Sequence, residues 1–225
     1  MNIAVIVAAG SGQRFASLQP KQFIPILGKP LIIHTLERFE ACPAVDEIVL
    51  VLSPAGRDEF ARVAGDYSFS KLRSIVKGGE TRAESVKNGL DIIDGATVNV
   101  VAVHDGARPL VSVDEIARTI EKASETGAAC LVADLTDTIK EIDGEYISGT
   151  IDRCGLRRAL TPQAFCYDIL LRAFDGTDLS ESVTDECSLV EKIGVKIAFV
   201  AGSTRNIKIT HPEDLILAEA FLKSL

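Results

Sequence analysis

The chain is short of positive charge. Its 225 residues carry 24 lysines and arginines against 32 aspartates and glutamates, a formal net charge of −8. That balance excludes the broad basic face on which nucleic-acid binders rely. It suits an acidic body that reserves a few cations for a small anionic ligand. Membrane-length apolar runs are missing too, since none approaches the roughly 20 residues a spanning helix requires. The amino-terminal run has no basic flank of the secretory kind and passes straight into a glycine-bearing loop, so residue 1 is expected to be the mature start. The five cysteines (Cys42, Cys130, Cys154, Cys166 and Cys187) are widely spaced and form no Cys-x-x-Cys pair. Reduced thiols in a cytoplasmic protein are expected, rather than a disulfide framework. His34, His104 and His211 lie far apart without metal-ligand spacing, so no metal site built from dedicated protein ligands is expected. Repeats, low-complexity tracts and linkers are absent as well. One α/β domain over residues 1–225 is expected, and a chain of this size buries about 70% of its unfolded surface without disulfides.

What is present is an alternation of short apolar runs and amphipathic segments. Ile3–Val7, Glu47–Leu52, Leu72–Lys77, Asn99–Val103, Ala128–Ala133 and Lys196–Ala201 read as strands. Helices are expected from Pro30 to about Cys42, Pro54 to about Ala64, Thr81 to Ile93 and Ser112 to about Thr126. Further helices are expected over Phe165–Phe174, Asp185–Ile193 and Pro212–Leu222. Thr81-Arg82-Ala83-Glu84 and Ser112-Val113-Asp114-Glu115 are capping-box patterns. The repetition predicts a mostly parallel, twisted, Rossmann-like sheet with helices on both faces. The rhythm breaks at about Asp134. Residues 136–153 alternate polar and apolar around Asp143-Gly144, which predicts a protruding β-hairpin arm. Such a hairpin is marginal alone, and a partner subunit is a good candidate for its support.

Between the first strand and the first helix lies Ala8-Ala9-Gly10-Ser11-Gly12-Gln13-Arg14, followed by Pro20-Lys21. Small residues let backbone amides approach a ligand closely, and amides aligned in one direction form an anion nest. Arg14 and Lys21 add full charges, so a polyphosphate is the expected guest. Two familiar phosphate loops are excluded. Gly12 is followed by Gln13-Arg14 instead of the Lys-Ser/Thr of a P-loop. Phe15 stands where the dinucleotide fingerprint needs its third glycine. Ligands of open α/β sheets bind beyond the carboxyl ends of the strands. Residues 8–21, 78–82 and 104–109 fall there together, so one pocket should gather them.

Six motifs stand in order: the Ala-Ala-Gly-Ser-Gly-Gln-Arg…Pro-Lys loop, Gly78-Gly79-Glu80-Thr81-Arg82, Val103-His104-Asp105-Gly106-Ala107-Arg108-Pro109, Leu160-Thr161-Pro162-Gln163, Thr184-Asp185-Glu186 and Asn206-Ile207-Lys208-Ile209-Thr210. Together they resemble the 2-C-methyl-D-erythritol 4-phosphate cytidylyltransferases of the non-mevalonate isoprenoid pathway, from the first strand to the last helix. The resemblance implies an enzyme that joins CTP to methylerythritol phosphate and releases pyrophosphate. It also implies a divalent cation, usually magnesium, and a homodimer. By resemblance Ala8, Ala9, Gly10 and Gly12 contact CTP through their backbone, while Arg14 and Lys21 hold its phosphates. Gly79, Glu80 and Ser85 recognise cytosine, and Asp105 and Gly106 lie near the ribose. Asp105 and Arg108 border the methylerythritol phosphate site, and Thr161 and Thr184 line it. Thr138 and Arg153 sit on or beside the arm, with Arg153 reaching the partner's substrate phosphate. Lys208 returns to the transferred phosphate. Arg14, Lys21, Asp105 and Lys208 are thus the implied catalytic set. Glu80 replaces the aspartate of many relatives, and Gly106 an alanine. Ribitol 5-phosphate is the competing acceptor, in a related family whose first loop more often reads Ala-Gly-Gly-Thr-Gly. A nucleotide-binding regulator without turnover is the alternative of a different class; the presence of Lys21, Asp105 and Lys208 argues against it.

Overall fold

The structure is a computed structural model and describes residues 1–10, 15, 20–175, 177 and 183–224. The first half contains β1 (Asn2–Ala8), β2 (Pro25–Ile26), β3 (Lys29–Pro30), α1 (Leu31–Glu40), β4 (Glu47–Leu52), α2 (Pro54–Val63), β5 (Leu72–Lys77) and α3 (Arg82–Leu90). Next come β6 (Val100–Asp105), α4 (Val113–Thr126), β7 (Ala128–Asp134), β8 (Ile139–Asp143) and β9 (Tyr146–Ile151). The chain ends with β10 (Arg157–Cys166), α5 (Tyr167–Phe174), α6 (Glu186–Lys192), β11 (Ala198–Ala201) and α7 (Pro212–Leu222).

The central sheet has seven strands in the order β11-β7-β10-β6-β1-β4-β5. The inner strands β1, β4, β6 and β7 are near-continuous apolar runs because helices cover both faces. The period of two shows in the packing. Ala4, Ile6 and Ala8 of β1 join one core with Ile33 and Phe39 of α1 and Ile116 and Ile120 of α4. Ile3 and Val5 point the other way, into a second core with Val86 of α3, Leu170 of α5 and Val190 of α6. Both expected capping boxes form. In α4 the Ser112 hydroxyl accepts from Glu115 N at 3.1 Å, and the Glu115 carboxylate accepts from Ser112 N at 2.8 Å. Gly127 closes that helix at φ +88°, a left-handed position that favours glycine.

The sheet departs from the sequence reading at β10. Phe165–Phe174 was expected to be helical, but Phe165 and Cys166 end a strand and α5 starts only at Tyr167. This strand runs antiparallel to both β6 and β7, while the other pairings of the sheet are parallel. Pro162 obscured it, because proline cannot donate to a ladder and argues against a central strand. The strand accommodates it at a register shift between Ala159 and Gln163. The β2–β3 ribbon was also unanticipated.

The hairpin is present as β8 and β9, turning at Gly144 with φ +58°, and neither strand joins the central sheet. Among the described residues, no helix is long and apolar enough to cross a membrane.

Candidate active site

At the carboxyl ends of β1 and β6 the chain leaves a cavity of about 520 Å³. Ala8, Ala9, Gly10 and Lys21 form one wall, and Gly79, Glu80, Ser85 and Arg82 another. Asp105 and Lys208 close the base. The three loops expected to meet do meet, joined by a fourth segment from beyond β11. Gly12 and Arg14 lie outside the described residues.

The wall before α3 depends on close approach. A Cβ added to Gly79 would lie 2.4 Å from Glu84 Cβ, and one on Gly78 would lie 2.3 Å from Ala9 Cβ. The loop is held from behind. Ser85 Oγ accepts from Gly79 N at 3.1 Å and donates to the Thr81 carbonyl at 2.9 Å. Glu84 accepts from both Glu80 N and Thr81 N. The carboxylate of the capping box therefore also fixes the backbone of Glu80 at the cleft. Gly79→Ala is expected to displace this wall, costing about 1–3 kcal/mol of stability. Urea unfolding measures that loss.

On the opposite wall the buried Gln22 donates from Nε2 to the Ala8 carbonyl at 2.7 Å, tying the residue after Lys21 to the end of β1. Lys21 Nζ donates to the Ile209 carbonyl at 2.9 Å, beside Lys208. Two cations far apart in sequence thus face one cleft.

Asp105 organises the base. Its Oδ1 accepts from Arg82 Nε at 3.1 Å. Its Oδ2 lies 3.0 Å from Lys208 Nζ and 3.4 Å from Arg108 Nε. Burial alone raises a carboxyl pKa, but Arg82, Lys208 and Arg108 overcome it and hold Asp105 well below the usual range. Arg108 is fixed from its other end, donating from Nη1 to the Asn206 carbonyl at 2.9 Å. Behind this layer His104 Nε2 donates to the Arg108 carbonyl at 3.2 Å, which leaves Nδ1 to accept from the Thr161 hydroxyl at 3.0 Å. Thr161 Oγ1 in turn accepts from Asp105 N at 3.1 Å, and Asn206 Nδ2 donates to the Thr161 carbonyl at 3.0 Å. Thr161 and Gly106 therefore stand behind the cleft wall rather than on it. Gly106 accepts from Thr35 Oγ1 at 3.0 Å.

His104 makes this support sensitive to acid. Burial pushes its pKa from the ordinary 6.5 down to about 3, with the neighbouring Asp105 charge opposing the shift. Between those values the unfolded chain takes up a proton that the folded chain refuses. Stability therefore falls as pH drops through that interval. Between pH 7 and pH 5 the loss from this group is about 2 kcal/mol. Urea unfolding at the two pH values measures it, and a His104→Gln chain should show a smaller loss.

Thr138 and Arg153 lie at the two ends of the arm, outside the cleft of their own chain, and Arg153 donates to the Thr136 carbonyl. Thr184 is exposed and precedes Asp185, the N-cap of α6, whose carboxylate accepts from Ser188 N at 3.0 Å. Sequence reasoning gave no role to Gln22, His104, Asn206, Arg82 or Glu186. The available signal was a polar side chain inside or bordering an apolar run, as at His104 after four apolar residues.

The family described as "IspD: 2-C-methyl-D-erythritol 4-phosphate cytidylyltransferase" matches residues 2–224. A 2-C-methyl-D-erythritol 4-phosphate cytidylyltransferase of Syntrophus aciditrophicus is 42% identical, over 98% of this chain and 95% of that protein. One from Geobacillus kaustophilus is 40% identical, over 98% and 96%. A crystal structure described as a 4-diphosphocytidyl-2C-methyl-D-erythritol synthase of Anaerococcus prevotii superposes with a TM-score of 0.85 at 31% identity, covering 99% of this chain and 96% of that one.

Proposed function

The chain belongs to the 2-C-methyl-D-erythritol 4-phosphate cytidylyltransferase family, and from that premise we propose how its cleft transfers the cytidylyl group of CTP to 2-C-methyl-D-erythritol 4-phosphate. The supporting observation is the convergence of Lys21, Lys208 and Arg82 on one cleft around the buried Asp105. A phosphate oxygen of the acceptor attacks the α-phosphorus of CTP. The bond from that phosphorus to the bridging oxygen breaks, and pyrophosphate leaves with the electron pair. The acceptor phosphate is already an anion, so no strong base is required. The barrier comes from bringing two anions together and from charge gathering on the α-phosphate, which positioning and fixed cations relieve. Lys21 and Lys208 act as compact charges on that phosphate. Arg14 and Arg153 are assigned to phosphate groups as forked donors. Ala8, Ala9 and Gly10 face the nucleotide, with Gly79, Glu80 and Ser85 at the base.

Magnesium is the proposed cofactor. Among the described residues no group of three His, Cys, Asp or Glu side chains could hold a metal. The carboxylates lining the cleft are Glu80 and Asp105, and both oxygens of Asp105 are already engaged by cations. Such a donor set fits an ion carried in on the triphosphate, and Glu80 and Asp105 are the lining carboxylates that would help to hold it. When bound, the ion neutralises phosphate charge and favours departure of pyrophosphate.

A homodimer joined through the arm is part of the same reading. Its support is the exposure of Ile142 at 60%, Tyr146 at 79% and Ile147 at 64% on a two-stranded hairpin that needs another surface. Arg153 at its base, which donates to the Thr136 carbonyl within its own chain, is then assigned to the partner's acceptor site. The unpaired cysteines fit a cytoplasmic location. Pyrophosphate release with CTP, magnesium and each acceptor tests the substrate. Release with ribitol 5-phosphate but not methylerythritol phosphate overturns it. Mixing Arg153→Ala with Lys21→Ala chains tests the shared site, and exchange of subunits without recovered activity removes Arg153 from it.

A further inference from the structure

Glu186 is the first residue of α6, a position where acidic side chains usually sit in water and complement the helix dipole. Here it is fully buried. Its Oε1 accepts from Arg82 Nη1 at 2.6 Å, while its buried Oε2 has no hydrogen-bond partner among the described residues. Burying a carboxylate with one oxygen unsatisfied is costly. Holding α6 in place does not require it. The start of that helix is pinned independently by Gln163 of β10, which accepts from Cys187 N at 3.1 Å and donates to Asp185 at 2.8 Å.

The partner of Glu186 leads to the cleft. Arg82 opens α3 and lines the cavity, and its Nε reaches Asp105 Oδ1. A guanidinium is planar and rigid, so fixing Nη1 sets the direction in which Nε points. With Oδ1 taken, Asp105 presents Oδ2 to Lys208 at 3.0 Å and, more distantly, to Arg108 at 3.4 Å; the Lys208 side chain is 42% exposed against 9% for Asp105. The order from interior to cleft is Glu186, Arg82, Asp105, Lys208, alternating in sign at every step.

We propose that Glu186 is a positioning residue of the transfer site: it anchors Arg82, which occupies one oxygen of Asp105 and leaves the other to hold Lys208 at the cleft. This role rests on the cytidylyl-transfer reading. Glu186 touches neither substrate and acts only through Arg82. Glu186→Gln keeps the side-chain length and an acceptor for Arg82 but removes the charge. Glu186→Ala removes the anchor itself.

The test is steady-state pyrophosphate release from CTP and methylerythritol phosphate by both variants, together with their melting temperatures and crystal structures. The expected result is a fall in kcat of about 10-fold for Glu186→Gln and about 100-fold for Glu186→Ala, with KM for CTP within about twofold. The melting temperature of Glu186→Gln should fall, because Arg82 stays buried and loses a charged partner. In the Glu186→Ala crystal structure Arg82 should leave Asp105 and Lys208 Nζ should shift. Full kcat in the folded alanine variant overturns the proposal, as does a loss confined to melting temperature. Unmoved Arg82–Asp105–Lys208 contacts overturn it whatever the turnover. Failure of the unaltered protein to turn over methylerythritol phosphate refutes the transfer reading instead, and the crystal geometry still decides the positioning role.

Discussion

Lys208→Ala is expected to lower kcat for cytidylyl transfer by about 100- to 1,000-fold, the loss seen when one fixed donor to a developing oxyanion is removed. The lysine is half exposed at the mouth of the Asp105 cluster, and Arg82 and Arg108 remain on that carboxylate after its loss. The fold should therefore survive, with stability changed by at most about 1 kcal/mol. Lys208→Arg should restore little, because a planar fork cannot occupy the place of a compact ammonium between Asp105 and the ligand. Measuring kcat and melting temperature together separates the outcomes. Unchanged kcat in Lys208→Ala removes it from the reaction.

Asp105→Ala is expected to have the largest effect on stability. It takes their carboxylate from Arg108 and Lys208 and leaves Arg82 its ion pair with Glu186. Removing one member of a buried ion pair costs about 3–5 kcal/mol. The pH dependence follows from the depressed pKa of Asp105, where the three cations outweigh burial. A carboxyl whose folded pKa lies below its unfolded value stabilises the fold above the unfolded value, about 3.9. That contribution disappears as pH falls towards the folded value. The stability gap between the unaltered chain and Asp105→Ala should therefore be widest at pH 7 and shrink below about pH 4. Urea unfolding of both chains across that range measures the gap. A gap that stays constant with pH contradicts the ionic account of the cluster. Activity should fall as well, since Lys208 loses the anchor that holds it at the cleft.

The parallel strands were legible in the sequence because burial on both faces makes them continuous apolar runs, as in Glu47–Leu52. Capping boxes at Thr81 and Ser112 marked their helices because the signal is confined to four residues. The small residues at the end of β1 likewise marked one wall of the cleft. β10 was illegible because Pro162 contradicts a central strand in any local reading, and only the register shift in the folded sheet admits it. The support of Asp105 was hidden for a related reason. Arg82 and Glu186 are 104 residues apart, and nothing near either position announces the pairing. Glu186 looks like an ordinary acidic residue in the first turn of a helix, and His104 like the polar end of a strand. Roles that act through a second side chain leave no spacing pattern in one sequence, whereas residues that line the cleft sit in its loops.

Transfer of the α-phosphorus is the central claim, and CTP labelled at that atom tests it most directly. Incubation with magnesium and 2-C-methyl-D-erythritol 4-phosphate should move the label into a cytidine diphosphate-linked methylerythritol while unlabelled pyrophosphate appears in equal amount. Label that remains in CTP, or that enters a product only when ribitol 5-phosphate is supplied, contradicts the account.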